Sequence, residues 1–202
     1  MVNIVIFGEI GAGKSSVINL LAGRQIAHIS PDAHRCTLHW TELQVTFENG
    51  TRYQVFDTAG LQEPCLHTGE YLSAISNVYS LITTLKERGG VNLLLFCVRG
   101  GRVTATMQSN YRLFFEFLCE ERVPLVLVLT NLEREVNMED WYTQNNKDQL
   151  AKYGMHFPGY ACVTTLPGGR AESQDLRQRR AQSYEAVCKL ILDHCSQAPR
   201  KT

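Results

Sequence analysis

The sequence lacks an excess of charge: 20 lysines and arginines face 20 aspartates and glutamates, for a formal net charge of zero. That balance gives no electrostatic basis for gripping nucleic acid or an anionic membrane, and neither partner is expected. Long apolar runs are also missing. The two longest, Leu93 to Val98 and Pro124 to Leu129, fall far short of a bilayer span. The chain opens directly on strand-like residues, Met1-Val2 does not suit myristoylation, and the ending HCSQAPRKT is not a prenylation box. A soluble, cytoplasmic protein without a membrane anchor is therefore expected. No CxxC pair occurs among the seven cysteines, at 36, 65, 97, 119, 162, 188 and 195, so reduced thiols fit better than a disulfide framework. Three of them, Cys97, Cys162 and Cys188, sit in apolar patterns as small hydrophobes. Internal repeats and low-complexity segments are absent, and 44% apolar with 20% charged residues excludes a disordered chain. The 202 residues suit one domain, expected over 1–195, with 196–202 as a frayed tail.

What is present begins at the first strand. The apolar run Ile4-Val5-Ile6-Phe7 feeds Gly8-Glu9-Ile10-Gly11-Ala12-Gly13-Lys14-Ser15, which meets GxxxxGK[ST] at every fixed position, and helix-compatible residues Ser16 to Ala22 follow. Glycines allow positive φ and let several N–H groups converge on one anion. A helix starting near Gly13 adds the positive end of its dipole. Lys14 would reach the β- and γ-phosphates, and the Ser15 hydroxyl would ligate Mg²⁺. The plain alternative is a glycine-rich turn without a ligand, which does not require the lysine and serine.

Strand-like and helix-like stretches then alternate, the pattern of a mostly parallel sheet covered by helices. Gln25 to Cys36 is a polar, proline-broken loop. Leu38 to Phe47 and Tyr53 to Phe56 read as strands joined by Asn49-Gly50, a strong hairpin signal, so they pair antiparallel and the earlier one is an edge strand. A helix over Gly69 to Arg88 carries Leu72, Ile75, Tyr79 and Ile82 as its inward stripe and stops at Gly89-Gly90. Val91 to Val98 is a buried strand, Thr104 to Glu120 a helix with Met107, Tyr111, Phe114 and Leu118 inward, and Val123 to Leu129 a buried strand. Residues 134–153 are expected to be partly helical, with Trp141 and Tyr142 either shielding a base or packing locally. Phe157 to Val163 reads as the last strand and Gln174 to Cys195 as the closing helix.

A second chemical motif, Asp57-Thr58-Ala59-Gly60, ends the third strand. An aspartate there can hold a water of Mg²⁺, and Gly60 lets a backbone N–H approach the γ-phosphate. Together, the phosphate loop, the DTAG motif and the antiparallel second strand resemble a TRAFAC-class small GTPase. The stretch RGGRVTATMQSNY, Arg99 to Tyr111, is similar to one that marks the GIMAP branch, relatives of septins, and the chain looks like short cytosolic AIG-type G-domain proteins of fungi.

That resemblance implies a Ras-like P-loop NTPase G domain: α/β, with a mixed, mostly parallel six-stranded sheet, one antiparallel strand, and helices on both faces. It implies Mg²⁺ with GTP or GDP as ligand. The phosphate cradle would be Gly8, Gly11, Ala12, Gly13, Lys14, Ser15 and Ser16, with Asp57 and Gly60 opposite; Ser15, Thr37 and Asp57 would form the metal set. Thr37 is preferred over Thr41 as the loop threonine that senses the γ-phosphate. Thr130-Asn131-Leu132-Glu133 occupies the place of the base-reading NKxD, departing twice: Asn131 replaces the lysine and Glu133 the aspartate. A carboxylate still accepts from guanine N1–H and N2–H₂, a donor pair adenine lacks, so guanine remains the expected base. Thr164 and Thr165 fall where the family contacts the base through backbone N–H. Leu61 stands where Ras-like members place the water-orienting glutamine, and Gln62 comes one residue later. Gly11 replaces the asparagine of potassium-activated relatives. The resemblance therefore implies slow intrinsic hydrolysis, with Lys14, Thr37, Gln62 and Arg102 as the catalytic set; Arg102 would be delivered across a nucleotide-dependent homodimer. A GTP-dependent assembly module without turnover and a P-loop ATPase with relaxed base choice stay open. His28, His34 and His39 match no metal-ligand spacing.

Overall fold

The computed structural model describes residues 2–27, 40–58, 68–166 and 173–195. Six strands form one sheet: β1 (Val2–Phe7), β2 (Trp40–Thr46), β3 (Arg52–Thr58), β4 (Leu93–Arg99), β5 (Leu125–Thr130) and β6 (Tyr160–Cys162). Their order across the sheet is β2-β3-β1-β4-β5-β6. Among the described residues only the β2–β3 pair is antiparallel, with Leu43 opposite Val55; the other pairs are parallel. The hairpin at Asn49-Gly50 is present, but its turn opens earlier than a two-residue loop would. Gly50 N–H donates to Phe47 O at 2.9 Å, and Gly50 takes φ +81°, a left-handed position that glycine fills without strain.

The strands buried on both faces are those with continuous apolar runs: β4 is buried from Leu93 to Val98 and β5 throughout. Five helices cover the sheet: α1 (Lys14–Ala22), α2 (Thr68–Glu87), α3 (Ala105–Tyr111), α4 (Lys147–Lys152) and α5 (Gln174–Cys195). On one face, Ile4, Ile6, Leu95 and Val128 meet Val17, Ile18 and Leu21 of α1 and Val187 and Ile191 of α5. On the other, Val5, Phe7 and Phe96 meet Val78, Leu81 and Leu85 of α2, Met107 and Tyr111 of α3, and Leu150 of α4. Phe7 lies between the rings of Phe96 and Phe114, at centroid distances of 4.7 and 4.2 Å. No helix among the described residues is long and apolar enough to cross a membrane.

Several sequence-based expectations need adjusting. On α2 the inward stripe is Val78, Leu81, Ile82 and Leu85; Ile82 is buried as expected and Ile75 half-buried, but Tyr79 is 63% exposed, and the Leu72 side chain lies outside what is described. The helix after Thr104 keeps its predicted stripe but widens into a π-helical segment, Arg112–Leu118, closed by Cys119 N–H to Phe114 O at 3.1 Å. A second π-helical segment, Trp141–Asn146, leads into α4. Trp141 and Tyr142 are buried, and the Tyr142 ring packs 4.1 Å from that of Tyr160. Of the two readings, local packing is the one their burial matches. The last strand is only three residues long, shorter than the predicted Phe157 to Val163.

Candidate functional site

Parallel pairing brings the chemistry together at the carboxyl ends of the strands. β1 runs out into Gly8, beside β3, where Ile6 pairs with Asp57, and beside β4, where Phe7 pairs with Phe96. Gly8 takes φ +145° and packs so closely on β4 that a Cβ would stand 2.1 Å from the Cys97 carbonyl oxygen. The loop then closes by Ala12 N–H to Glu9 O at 3.1 Å. Gly13, at φ +83°, caps α1 with no side-chain bond of its own, leaving the helix N-terminus open to an anion. Gly11 also has positive φ, +76°, but open space around it.

Lys14 is 8% exposed, and its ammonium donates to Gly8 O at 3.1 Å and Glu9 O at 2.9 Å. Burial lowers its pKa from the ordinary lysine value, against the opposing pull of Asp57, Cys97 and Glu9. The Ser15 hydroxyl donates to Asp57 Oδ2 at 2.9 Å. Burial likewise raises the Asp57 pKa, countered by the Ser15 hydrogen bond and by Lys14. In both groups burial outweighs their mutual attraction. A site built with one cation and one anion, each made costly by burial, is completed by a ligand that supplies opposite charge to both.

Asp57 Oδ1 is buried and has no hydrogen-bond partner among the described residues. A hydroxyl and a carboxylate meeting with a spare carboxylate oxygen are hard oxygen donors, the chemistry that suits Mg²⁺ rather than a softer metal. The residues present fit that ion. Cys97, fully buried behind Lys14, has its thiol pKa pushed up by burial and is inert packing.

Thr130, at the end of β5, ties that strand end to the phosphate loop. Its buried hydroxyl donates to Ala12 O at 2.9 Å, and its side chain lies where a Cβ on Gly13 would come within 3.1 to 3.3 Å. Gly100 N–H bonds Thr130 O at 2.8 Å. Asn131 is exposed with φ +64°, and Glu133 lies half-buried in a turn closed by Glu135 N–H to Leu132 O at 3.1 Å. Thr164, fully buried after β6, offers its N–H to Ser183 Oγ of α5 at 3.0 Å; Thr165 follows half-buried. Ser16 is half-buried. Thr37, Gly60 and Gln62, like Leu61, His28, His34 and His39, lie outside the described residues. Thr41 is an exposed strand residue paired across from Asp57.

Arg102 is exposed in the loop between β4 and α3. Two residues on, Thr104 caps α3 by accepting Met107 N–H at 3.1 Å, and its hydroxyl is hydrogen-bonded to the Glu9 carboxylate of the phosphate loop. Sequence reasoning missed both partners of that link. Glu9 is a free position in the motif and Thr104 a generic capping residue, so neither carried a signal. Arg179 and Ser183 were missed in the same way, because they sit in the charged half of α5.

Comparison with known proteins bears on these observations. No curated protein matches the chain by sequence. Among solved structures, Era from Aquifex aeolicus bound to GDP and AlF₄⁻ is 17% identical with a TM-score of 0.66, over 96% of this chain. Toc33 from Arabidopsis thaliana in complex with GDP and Mg²⁺ is 18% identical with a TM-score of 0.69, over 98% of this chain. A second Era structure, with MgGDPNP and a segment of 16S ribosomal RNA, has 16% identity and a TM-score of 0.64, over 95% of this chain. The chain spans 57% and 56% of the two Era chains and 86% of Toc33. These likenesses establish the fold, a Ras-like P-loop G domain with one antiparallel strand. The sequence profile of the 50S ribosome-binding GTPases matches residues 3–131, from β1 through the phosphate loop and Asp57 to Asn131. The chain belongs to that GTPase family.

Proposed function

We propose that residues 1–195 act as a single G domain that binds GTP and GDP with Mg²⁺ and hydrolyses GTP slowly. Turnover is raised when a nucleotide-dependent homodimer brings Arg102 of one copy to the phosphates of the other. The observation that carries the reading is the meeting of Ser15 Oγ and Asp57 Oδ2 at 2.9 Å beside a buried Lys14, with Asp57 Oδ1 left unpaired. A GIMAP- and septin-like place among GTPases and a cytoplasmic protein with no nucleic-acid partner complete it.

In this reading Gly8, Gly11, Ala12 and Gly13 shape the cradle, and backbone N–H groups from Gly11 to Ser16 surround the phosphates. Lys14 leaves its two loop carbonyls for the β- and γ-phosphate oxygens, exchanging neutral partners for charged ones. Ser15, Asp57 and Thr37 would hold Mg²⁺, which would supply charge stabilisation to the triphosphate. Gly60 and Thr37 sense the γ-phosphate and change conformation with it, the basis of a switch. Glu133 accepts from the guanine edge, Thr130 and Asn131 support it, and in the Thr164–Thr165 segment it is Thr165 that presents its backbone N–H, because that of Thr164 is held by Ser183 Oγ. Gln62 orients water less directly than a residue following DTAG would, because Leu61 takes that place and cannot hydrogen-bond water. Arg102 compensates: a guanidinium beside the transferring phosphoryl group stabilises its spread negative charge. The Thr104–Glu9 link supports this role by tying the Arg102 loop to the phosphate loop.

The test is phosphate release from GTP measured across a range of protein concentrations. Specific activity is expected to rise with concentration in the wild type and to stay flat in Arg102→Ala. Activity independent of concentration in the wild type overturns the dimer. GTP retained without phosphate release favours the second reading, a non-hydrolysing assembly module, for which Leu61 is the specific observation.

A further inference from the structure

Both base-side segments are anchored to one turn of α5. The Arg179 guanidinium donates to Glu135 O at 2.8 Å and to Val136 O at 3.4 Å, gripping the end of the turn that contains Glu133. Asp175, one turn earlier, holds the same guanidinium by an ion pair at 2.9 Å. The Arg179 carbonyl in turn accepts the Ser183 hydroxyl at 2.7 Å, and Ser183 Oγ accepts Thr164 N–H at 3.0 Å. A continuous chain of hydrogen bonds thus runs from the Glu133 turn, through Arg179 and Ser183, to Thr164. Ser183 is 1% exposed and uses its hydroxyl as donor and acceptor at once. The Arg179 side chain is 21% exposed, sheltered enough for its hydrogen bonds to hold direction.

We propose that Arg179 and Ser183 are positioning residues for base selectivity, fixing the spacing between the Glu133 turn and the Thr164–Thr165 segment. The proposal rests on the guanine reading above. Telling guanine from adenine needs a carboxylate at N1–H and N2–H₂ and a backbone N–H, that of Thr165, at the neighbouring O6, held together along one edge of the base, and small misplacements erase such discrimination. Glu133 is one methylene longer than the usual aspartate, so its backbone has to be held at a particular offset from the base. A rigid 22-residue helix that grips both segments within one turn supplies that offset. The phosphate cradle is anchored separately, by β1 and Thr130, and does not depend on this chain of bonds.

The experiment measures affinities of the full chain for GDP, ADP and inorganic triphosphate, each with Mg²⁺, by competition against a fluorescent GDP. Wild type, Arg179→Ala, Arg179→Lys and Ser183→Ala are compared. Arg179→Ala and Ser183→Ala are expected to weaken GDP about tenfold, as loss of a hydrogen bond at a charged or fully buried group does, and to narrow the GDP:ADP ratio equally. Inorganic triphosphate should shift less than about twofold. Arg179→Lys, which keeps the charge but loses the fork that reaches two carbonyls, should recover only part of the ratio. Equal losses for GDP and triphosphate would mean a merely structural role and overturn the proposal. So would variants that keep the wild-type ratio. If Arg179→Ala does not fold, Ser183→Ala decides alone, since it removes one hydroxyl and keeps the helix. A wild type that binds GDP and ADP alike removes the guanine reading and this proposal with it; a GDP-selective wild type with unaltered variants removes only this proposal.

Discussion

Gly8 and Gly11 stand three residues apart in one motif, and the structure predicts very different costs for adding a single methyl group to each. At Gly11 a Cβ meets nothing within 4 Å, so Gly11→Ala bears only the strain of φ +76°, about 1 kcal/mol. At Gly8 the same methyl would lie 2.1 Å from the Cys97 carbonyl oxygen and 3.1 Å from its carbon. That neighbour is backbone of a central strand, so it has no side-chain rotation with which to yield. Relief requires β1 and β4 to separate where Phe7 pairs with Phe96, disturbing the stack of Phe7 with Phe96 and Phe114. Overpacking a core in this way costs about 1–3 kcal/mol, and the strain of φ +145° adds about 1–3 kcal/mol more, so Gly8→Ala should lose at least about 2 kcal/mol. Urea unfolding of both variants without nucleotide measures the difference. A loss at Gly8 no larger than that at Gly11 would refute the close packing of the phosphate loop on β4.

Three further outcomes follow from the site. Thr130→Val keeps shape but leaves Ala12 O without its hydroxyl partner, costing about 1–3 kcal/mol in unfolding experiments, and should speed GDP release measured by fluorescence. Asp57→Asn removes a carboxylate whose charge burial disfavours, so the nucleotide-free protein should melt no lower than wild type, and higher if Ser15 keeps a partner; added Mg²⁺ and GDP should then stabilise it far less than wild type. The pH dependence has a defined sign. With its folded pKa raised, Asp57 binds its proton more readily in the folded than in the unfolded chain, so it favours folding at acid pH. That contribution fades as pH rises through the raised value, while Mg²⁺-dependent nucleotide affinity, which needs the carboxylate, grows over the same range. Titrations of GDP with and without Mg²⁺ from pH 4 upward check this; a Mg²⁺ contribution constant down to the ordinary aspartate range would contradict it.

The features legible in the sequence are those encoded over short distances. The phosphate loop is read from eight consecutive residues, and its partner Asp57 from a strand ending in DTAG; parallel pairing of Ile6 with Asp57 then made their meeting a consequence of topology. The strand segments and the antiparallel second strand came from the apolar runs and from Asn49-Gly50, while the order of the strands across the sheet came only with the structure. What escaped depends on which face of a helix turns inward or on partners far apart in the chain. Tyr79 fits an inward stripe as well as Val78 does, and only packing chose between them. The widening of the helix at Arg112–Leu118 has no residue signature, since it inserts no proline or glycine. Arg179 and Ser183 sit in a run, RQRRAQS, that reads as a solvated face until Glu135, Val136 and Thr164 are seen beside it. Glu9 and Thr104 are separated by the whole first half of the sheet, and nothing local marks their contact.

The most direct measurement of the central claim is isothermal titration of the nucleotide-free protein with GDP and with ADP, with and without Mg²⁺, for wild type and Lys14→Ala. The account predicts saturable GDP binding that Mg²⁺ strengthens, weaker ADP binding, and loss of both in Lys14→Ala. Equal affinity for the two nucleotides, or binding that survives removal of Lys14, would contradict it.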